Sequence, residues 1–121
     1  MKKFLAIYLG TASTLEKSGW KTMNEAERKE REAAGIRAWG NWMTGHKSAI
    51  VDPGGPLGKT KRTTAQGVSD TRNSMTGYVI VEAESHEAAA RLFENHPHFT
   101  IFPGEAVEIM ECLPIPGQAQ R

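Results

Sequence analysis

The sequence predicts an α+β domain in which two helices cover one face of an antiparallel sheet. Three observations predict it. Two apolar runs of strand length, Phe4–Leu9 and Tyr78–Val81, are each followed at a distance by a segment with helix-start signals. An alternating strand closes the chain, with Val107 and Ile109 on one side and Glu108 on the other. The resulting order is strand, helix, strand with a polar hairpin, strand, helix, strand, which is the ferredoxin-like split βαβ arrangement. Its 121 residues suit a single domain spanning 1–121, with 114–121 as a C-terminal tail.

Each element has a local reason. Phe4–Leu9 is continuously apolar, too short for a helix, and ended by Gly10. Thr11–Lys21 reads as a loop of small and polar residues around the isolated Trp20. The first helix starts at Thr22-Met23-Asn24-Glu25 or two residues later at Asn24 with Glu27, both of capping-box form, and runs to about His46. Glu25 and Lys29, Glu27 and Arg31, and Arg28 and Glu32 form its (i, i+4) charge pairs. Ile36, Trp39, Met43 and His46 form the expected buried stripe, with Trp42 alongside. Ile50-Val51 opens a strand that continues into Asp52-Pro53-Gly54-Gly55-Pro56-Leu57-Gly58. Two short polar strands follow around a turn at Gln66-Gly67. Gly77–Ala83 is a strong strand, Ser85 caps the second helix, and Pro97 stops it. Phe99–Phe102 reads as a short extended piece before the turn at Pro103-Gly104 and the last strand, Ala106–Leu113.

Composition narrows the function classes. Fifteen basic and 14 acidic side chains give a formal net charge of +1, which argues against nucleic acid and anionic membranes as partners. The one cysteine, Cys112, allows no intrachain disulfide and no cysteine-based zinc site. Met1–Leu9 is basic then apolar but too short for a signal peptide, and no apolar run approaches membrane-helix length. A reduced, cytoplasmic setting is the expectation. The apolar runs imply strands buried on both faces. Two helices can cover only one, so a second copy of the sheet is expected on the other. A homodimer of this kind buries on the order of 1,600 Å².

Histidine is the natural carrier of protons near neutral pH. Of the four present, His96 continues the buried face of the second helix and His98 lies just past Pro97, so both are candidates for acid/base chemistry at one cavity. The structural alternative is capping of helix carbonyls. His86, among polar neighbours, reads as a surface residue. Tyr8, Trp39, Trp42 and His46 are candidate ligand contacts, the aromatic ones as cavity walls. Gly55 belongs to a glycine pair that lets the second strand bend toward the pocket. Gly40 beside the tryptophans reads first as relief of steric crowding, the alternative being room for a close backbone or a ligand. Pro53–Thr60 ends in Gly-Lys-Thr, but proline replaces the first glycine of a phosphate loop and no helix follows. Lys59, Lys61 and Arg62 read as a solvated edge. Histidines with Asp52 or Asp70 match no metal-binding spacing, so neither metal nor cofactor is expected.

Gly54-Gly55-Pro56-Leu57, Gly77–Ser85, Glu87-Ala88-Ala89, and His96-Pro97-His98-Phe99 followed by Val107–Met110 together resemble the YCII-related family, including its DGPF-like branch. The resemblance covers most of the chain and implies a dimeric α+β barrel with a pocket between helices and sheet. It further implies lyase or isomerase chemistry on a small cyclic metabolite, with a non-catalytic ligand-binding or protein-interaction module as the alternative. The sequence departs from the family at two places. The helix position of the family's suspected histidine falls near Ala38–Trp39, and the pre-proline position holds His96 instead of aspartate. Asp70 fits the start of the Asp-Gly-Pro-Phe segment, but Thr71-Arg72-Asn73 follows it.

Overall fold

Strand β1 (Lys2–Leu9) lies inside a four-stranded antiparallel sheet in the computed structural model, which describes residues 1–117. The sheet order is β2-β5-β1-β6, with β2 at Ile50–Pro56, β5 at Met75–Ala83 and β6 at Ala106–Glu111. This is the ferredoxin-like order that the alternation of strands and helices predicts. In register, Tyr8 opposes Gly77 on one side and Val107 on the other. The expected polar hairpin is present as β3 (Thr60–Thr64) and β4 (Gly67–Thr71), a separate two-stranded ribbon with Lys61 bound to Asp70 at 2.7 Å. Residues 114–117 of the tail carry no helix or strand, and 118–121 lie outside the described residues.

One sheet face carries the core. Phe4, Ala6, Tyr8, Val79, Val81 and Ala83 are buried against Trp42, Ala89 and Phe93 of the helical layer. Leu5, Ile7 and Ile80 alternate with them on the other face and are half-buried outside that cluster. The long helix α2 (Glu25–Gly45) begins at Asn24, whose side chain accepts from the Glu27 N–H at 2.8 Å. Glu25 and Lys29 pair at 3.3 Å as expected. Of the expected stripe, Trp39 and Met43 pack against the core with Trp42 buried beside them, but Ile36 is 65% exposed. One turn before Trp39, the Phe102 ring lies on the backbone of α2 at Gly35. A Cβ on Gly35 would stand 2.4 Å from that ring.

Three segments differ from the sequence expectation. Thr11–Lys21 contains a short helix, α1 (Ala12–Lys17), capped by a reciprocal Thr11–Thr14 box, and a 3-10 turn at Trp20–Thr22. Trp20 is buried and stacks on Phe102 with ring centroids 5.9 Å apart. The second helix is cut in two. Its first part, α3 (His86–Arg91), ends well before Pro97, and Asn95 turns the chain with φ 59°. Pro97 then opens α4 (Pro97–Thr100) at the first helical position, where its missing N–H costs nothing. Phe99-Thr100 is therefore helical, not extended. No helix among the described residues is long and apolar enough to cross a membrane.

Candidate functional site

A cavity of about 480 Å³ opens between the middle of α2 and the ends of β1, β2 and β5. Tyr8 and Trp39 form its aromatic walls, with ring centroids 4.8 Å apart. His98 and Phe102, from α4 and the turn after it, close one side. Three glycines make the space. Gly77 faces Tyr8 across the sheet, where a Cβ would sit 3.3 Å from the Tyr8 ring. Gly40 lines the cavity from α2, and a Cβ there would meet nothing within 4 Å, so the position relieves no crowding and leaves the space open. Gly55 reaches the cavity because β2 bulges between Asp52 and Gly55. That bulge is held by the Asp52 carboxylate, which accepts from the Gly54 N–H at 2.9 Å. It also needs glycine at 54, where φ is +61° and a Cβ would fall 1.9 Å from the Tyr78 carbonyl oxygen.

His96 and His98 come together, but only one of them faces the cavity. His96 is fully buried behind Tyr8, with no share in the lining. It caps α4: its Nδ1 accepts from the His98 backbone N–H at 3.0 Å. Its Nε2 lies 3.2 Å from the Tyr8 hydroxyl. A nitrogen that accepts a backbone N–H carries no proton, so Nε2 holds the ring's hydrogen and donates it to Tyr8 Oη. Trp39 and Trp42 pack edge-on against the same ring, at 4.5 and 4.6 Å between centroids. His98 lines the cavity and donates from Nε2 to the Leu9 carbonyl at 2.7 Å. Gly104 makes room for this ring, since a Cβ there would stand 2.4 Å from its Cε1. With Nε2 donating to Leu9, the neutral ring carries no hydrogen on Nδ1.

Electrostatics follow burial. His96 is pushed down to about 3, first by burial, then by the charges that His98 and His46 would carry. His98 is also lowered by burial, against the pull of the Leu9 and Ala106 carbonyls. Burial raises the Tyr8 hydroxyl well above the ordinary phenol range. All these groups are therefore neutral near pH 7. Among the described residues, the cavity wall contains no charged side chain.

Trp42 and His46 sit elsewhere. Trp42 is in the core, donating from Nε1 to the Leu92 carbonyl at 2.9 Å, and His46 bonds the Trp42 carbonyl through Nδ1 at 2.9 Å at the end of α2. Neither lines the cavity. His86 is exposed as expected, yet its Nε2 donates to the Ile109 carbonyl at 2.7 Å. Sequence reasoning missed Ile36, Phe102 and Thr76 as lining residues. The signal for Phe102 was Gly35, a helix glycine awaiting a ring. Among the described residues, no three metal-ligating side chains come together.

No family model matches the sequence, and no curated protein matches it. Among solved structures, the chain is similar to 5-chloro-2-hydroxyhydroquinone dehydrochlorinase (TftG) of Burkholderia phenoliruptrix AC1100, in complex with 2,5-dihydroxybenzoquinone, at 20% identity and a TM-score of 0.49, over 89% of this chain and 90% of that one.

Proposed function

We propose that this chain is a YCII-like protein that binds a small cyclic metabolite in the cavity beneath α2 and moves a proton on it, as a lyase or isomerase does. The observation that carries this reading is the state of His98. Its ring lines the cavity and its Nε2–H is committed to the Leu9 carbonyl, which leaves Nδ1 without a hydrogen in the neutral ring. A neutral imidazole held in one tautomer beside an apolar cavity is suited to act as a general base. The volume suits one ring with its substituents, and the uncharged wall favours a neutral ligand over an anion. Tyr8, Trp39 and Gly55 are the ligand contacts. His96, Trp42 and His46 support them from behind. The working unit is a cytoplasmic homodimer of single domains. The half-buried Leu5, Ile7 and Ile80 are the face that a second sheet would cover.

The reading is tested by screening neutral ring compounds for thermal stabilisation. Hits are then followed by NMR in D2O for exchange of carbon-bound hydrogen. Exchange by the wild type that is lost in His98→Gln, with binding retained, supports proton transfer. Binding without exchange makes the protein a non-catalytic binding module, and absence of any binding rejects the cavity as the site.

A further inference from the structure

We infer that the β3–β4 hairpin is an arm that each copy in the homodimer lays across the β6 edge of its partner, with Val68 seated in the groove between β6 and the short helices. The inference deepens the homodimer of the proposed function and rests on it. A two-stranded ribbon is marginally stable by itself in water. This one pairs with no other strand among the described residues, and all ten residues from Lys61 to Asp70 are exposed. Its own body therefore supplies little to hold it. Val68, the largest apolar side chain of the ribbon, is 66% exposed. Lys61 is paired with Asp70, but Lys59, Arg62 and Arg72 have no ion-pair partner among the described residues.

The surface that fits this arm lies on the opposite edge of the sheet. There α3 and β6 border a groove of about 360 Å³ with Phe93, Phe99, Val107 and Ile109 as its apolar lining and the exposed Glu94 and Glu105 beside them. Glu87, Glu108 and Glu111 extend the negative surface. Arg91, the one arginine or lysine in α3 and β6, is already held by Glu87 and Glu94. A positive arm and a negative groove on one nearly neutral chain are complementary surfaces for a second copy.

Symmetry and register agree with this pairing. When two identical sheet faces pack with their strands aligned, the two-fold axis runs nearly along the strands or nearly across them. Across the strands, β2 of one copy stands over β2 of the other, and both arms emerge on the edge away from β6. Along the strands, β2 of one copy stands over β6 of the other, and corresponding strand ends coincide. The arm leaves the sheet beyond Pro56, which opposes Gly77, and Gly77 opposes Tyr8, which opposes Val107. The root of the arm and the groove thus share one end of the strands, and the axis along the strands brings them together. Packed sheets lie about 10 Å apart and a five-residue strand spans about 17 Å, so the arm is long enough to cross.

The test uses the full chain with Cys112→Ser, which removes the native thiol. Chains carrying Val68→Cys are mixed with chains carrying Ala90→Cys, an exposed position at the groove, left to exchange subunits, and treated with a short bismaleimide linker. The expected product is a linked dimer of one chain of each kind, absent when either chain is treated alone. A charge swap gives a second readout. Glu94→Arg with Glu105→Arg should raise the dimer dissociation constant on the order of tenfold at low salt, and adding Arg62→Glu and Arg72→Glu to the same chain should restore it. Absence of the mixed product from chains that light scattering shows to be dimeric, or a charge reversal without effect or without restoration, overturns the inference and leaves the homodimer standing. A monomer by light scattering removes the homodimer itself.

Discussion

Acid should unfold this protein through His96. The ring is fully buried and neutral, with a folded value of about 3 against an ordinary value of 6.5. Above 6.5 neither folded nor unfolded chain protonates it, and its contribution to stability is whole. As pH falls below 6.5, the unfolded chain takes up a proton that the folded chain refuses, so stability declines until about pH 3. The slope in that window is about 1.4 kcal/mol per pH unit, which accumulates to about 2 kcal/mol between about pH 7 and about pH 5. His98, shifted the same way, adds to the loss. The assay is urea unfolding of wild type and His96→Gln at a series of pH values. Glutamine cannot titrate, so the difference between the two curves isolates His96 from the carboxylates. Wild type should lose about 2 kcal/mol more than the variant over that range, a relative midpoint shift of about 1–2 M urea for a domain of this size. Superimposable pH dependences, or a His96 ring that titrates near 6.5 by NMR in the folded protein, would refute the reasoning.

Other substitutions probe separate features. Tyr8→Phe removes the acceptor of the His96 Nε2–H in a fully buried place and should cost about 1–3 kcal/mol in chemical unfolding. Gly54→Ala forces a side chain into a left-handed backbone against the Tyr78 carbonyl, and should cost on the order of 3 kcal/mol or more in the same experiment. Gly58→Ala, where a Cβ meets open space, should change stability by less than about 1 kcal/mol. Light scattering should give twice the chain mass of 13.3 kDa, and Ile7→Glu should give a monomer with an unchanged circular dichroism spectrum. A wild-type monomer at micromolar concentration would remove the dimer from the proposal.

The strands were legible because their apolar runs are long and bounded by glycine or charge. β1 and β5 lie within a residue or two of the expected runs. The Asn24 cap was legible for a similar reason, since a side chain three residues before a backbone N–H acts locally. What stayed hidden depends on contacts between distant segments. Pro97 ends a helix when read forward and begins one when the preceding turn is made by Asn95 in a left-handed conformation. Ile36 belongs to the apolar stripe by spacing but is exposed, while its neighbour Gly35 is covered by Phe102 from a distant segment. At the site, the sequence nominated both histidines, His96 narrowly first, whereas it is His98 that lines the cavity. Their different stations follow from the two-residue offset across α4, which turns His96 inward to cap the helix and leaves His98 at the cavity. Trp39 and Trp42 were equivalent as aromatic candidates, and three residues of helix place one at the wall and the other in the core.

The position of β1 inside the sheet has a consequence for how the chain is made. β1 pairs with β5 and β6, which lie at Met75–Ala83 and Ala106–Glu111. The first strand to leave the ribosome therefore waits for the last one, and contacts of such high sequence separation form slowly. Tyr8 meets His98 only after nearly all of the described chain has been synthesised. A nascent chain halted before Ala106 would hold β1 with one open edge, an invitation to pair with other chains. Truncated products of this protein should therefore aggregate in the cell instead of surviving as partly active fragments.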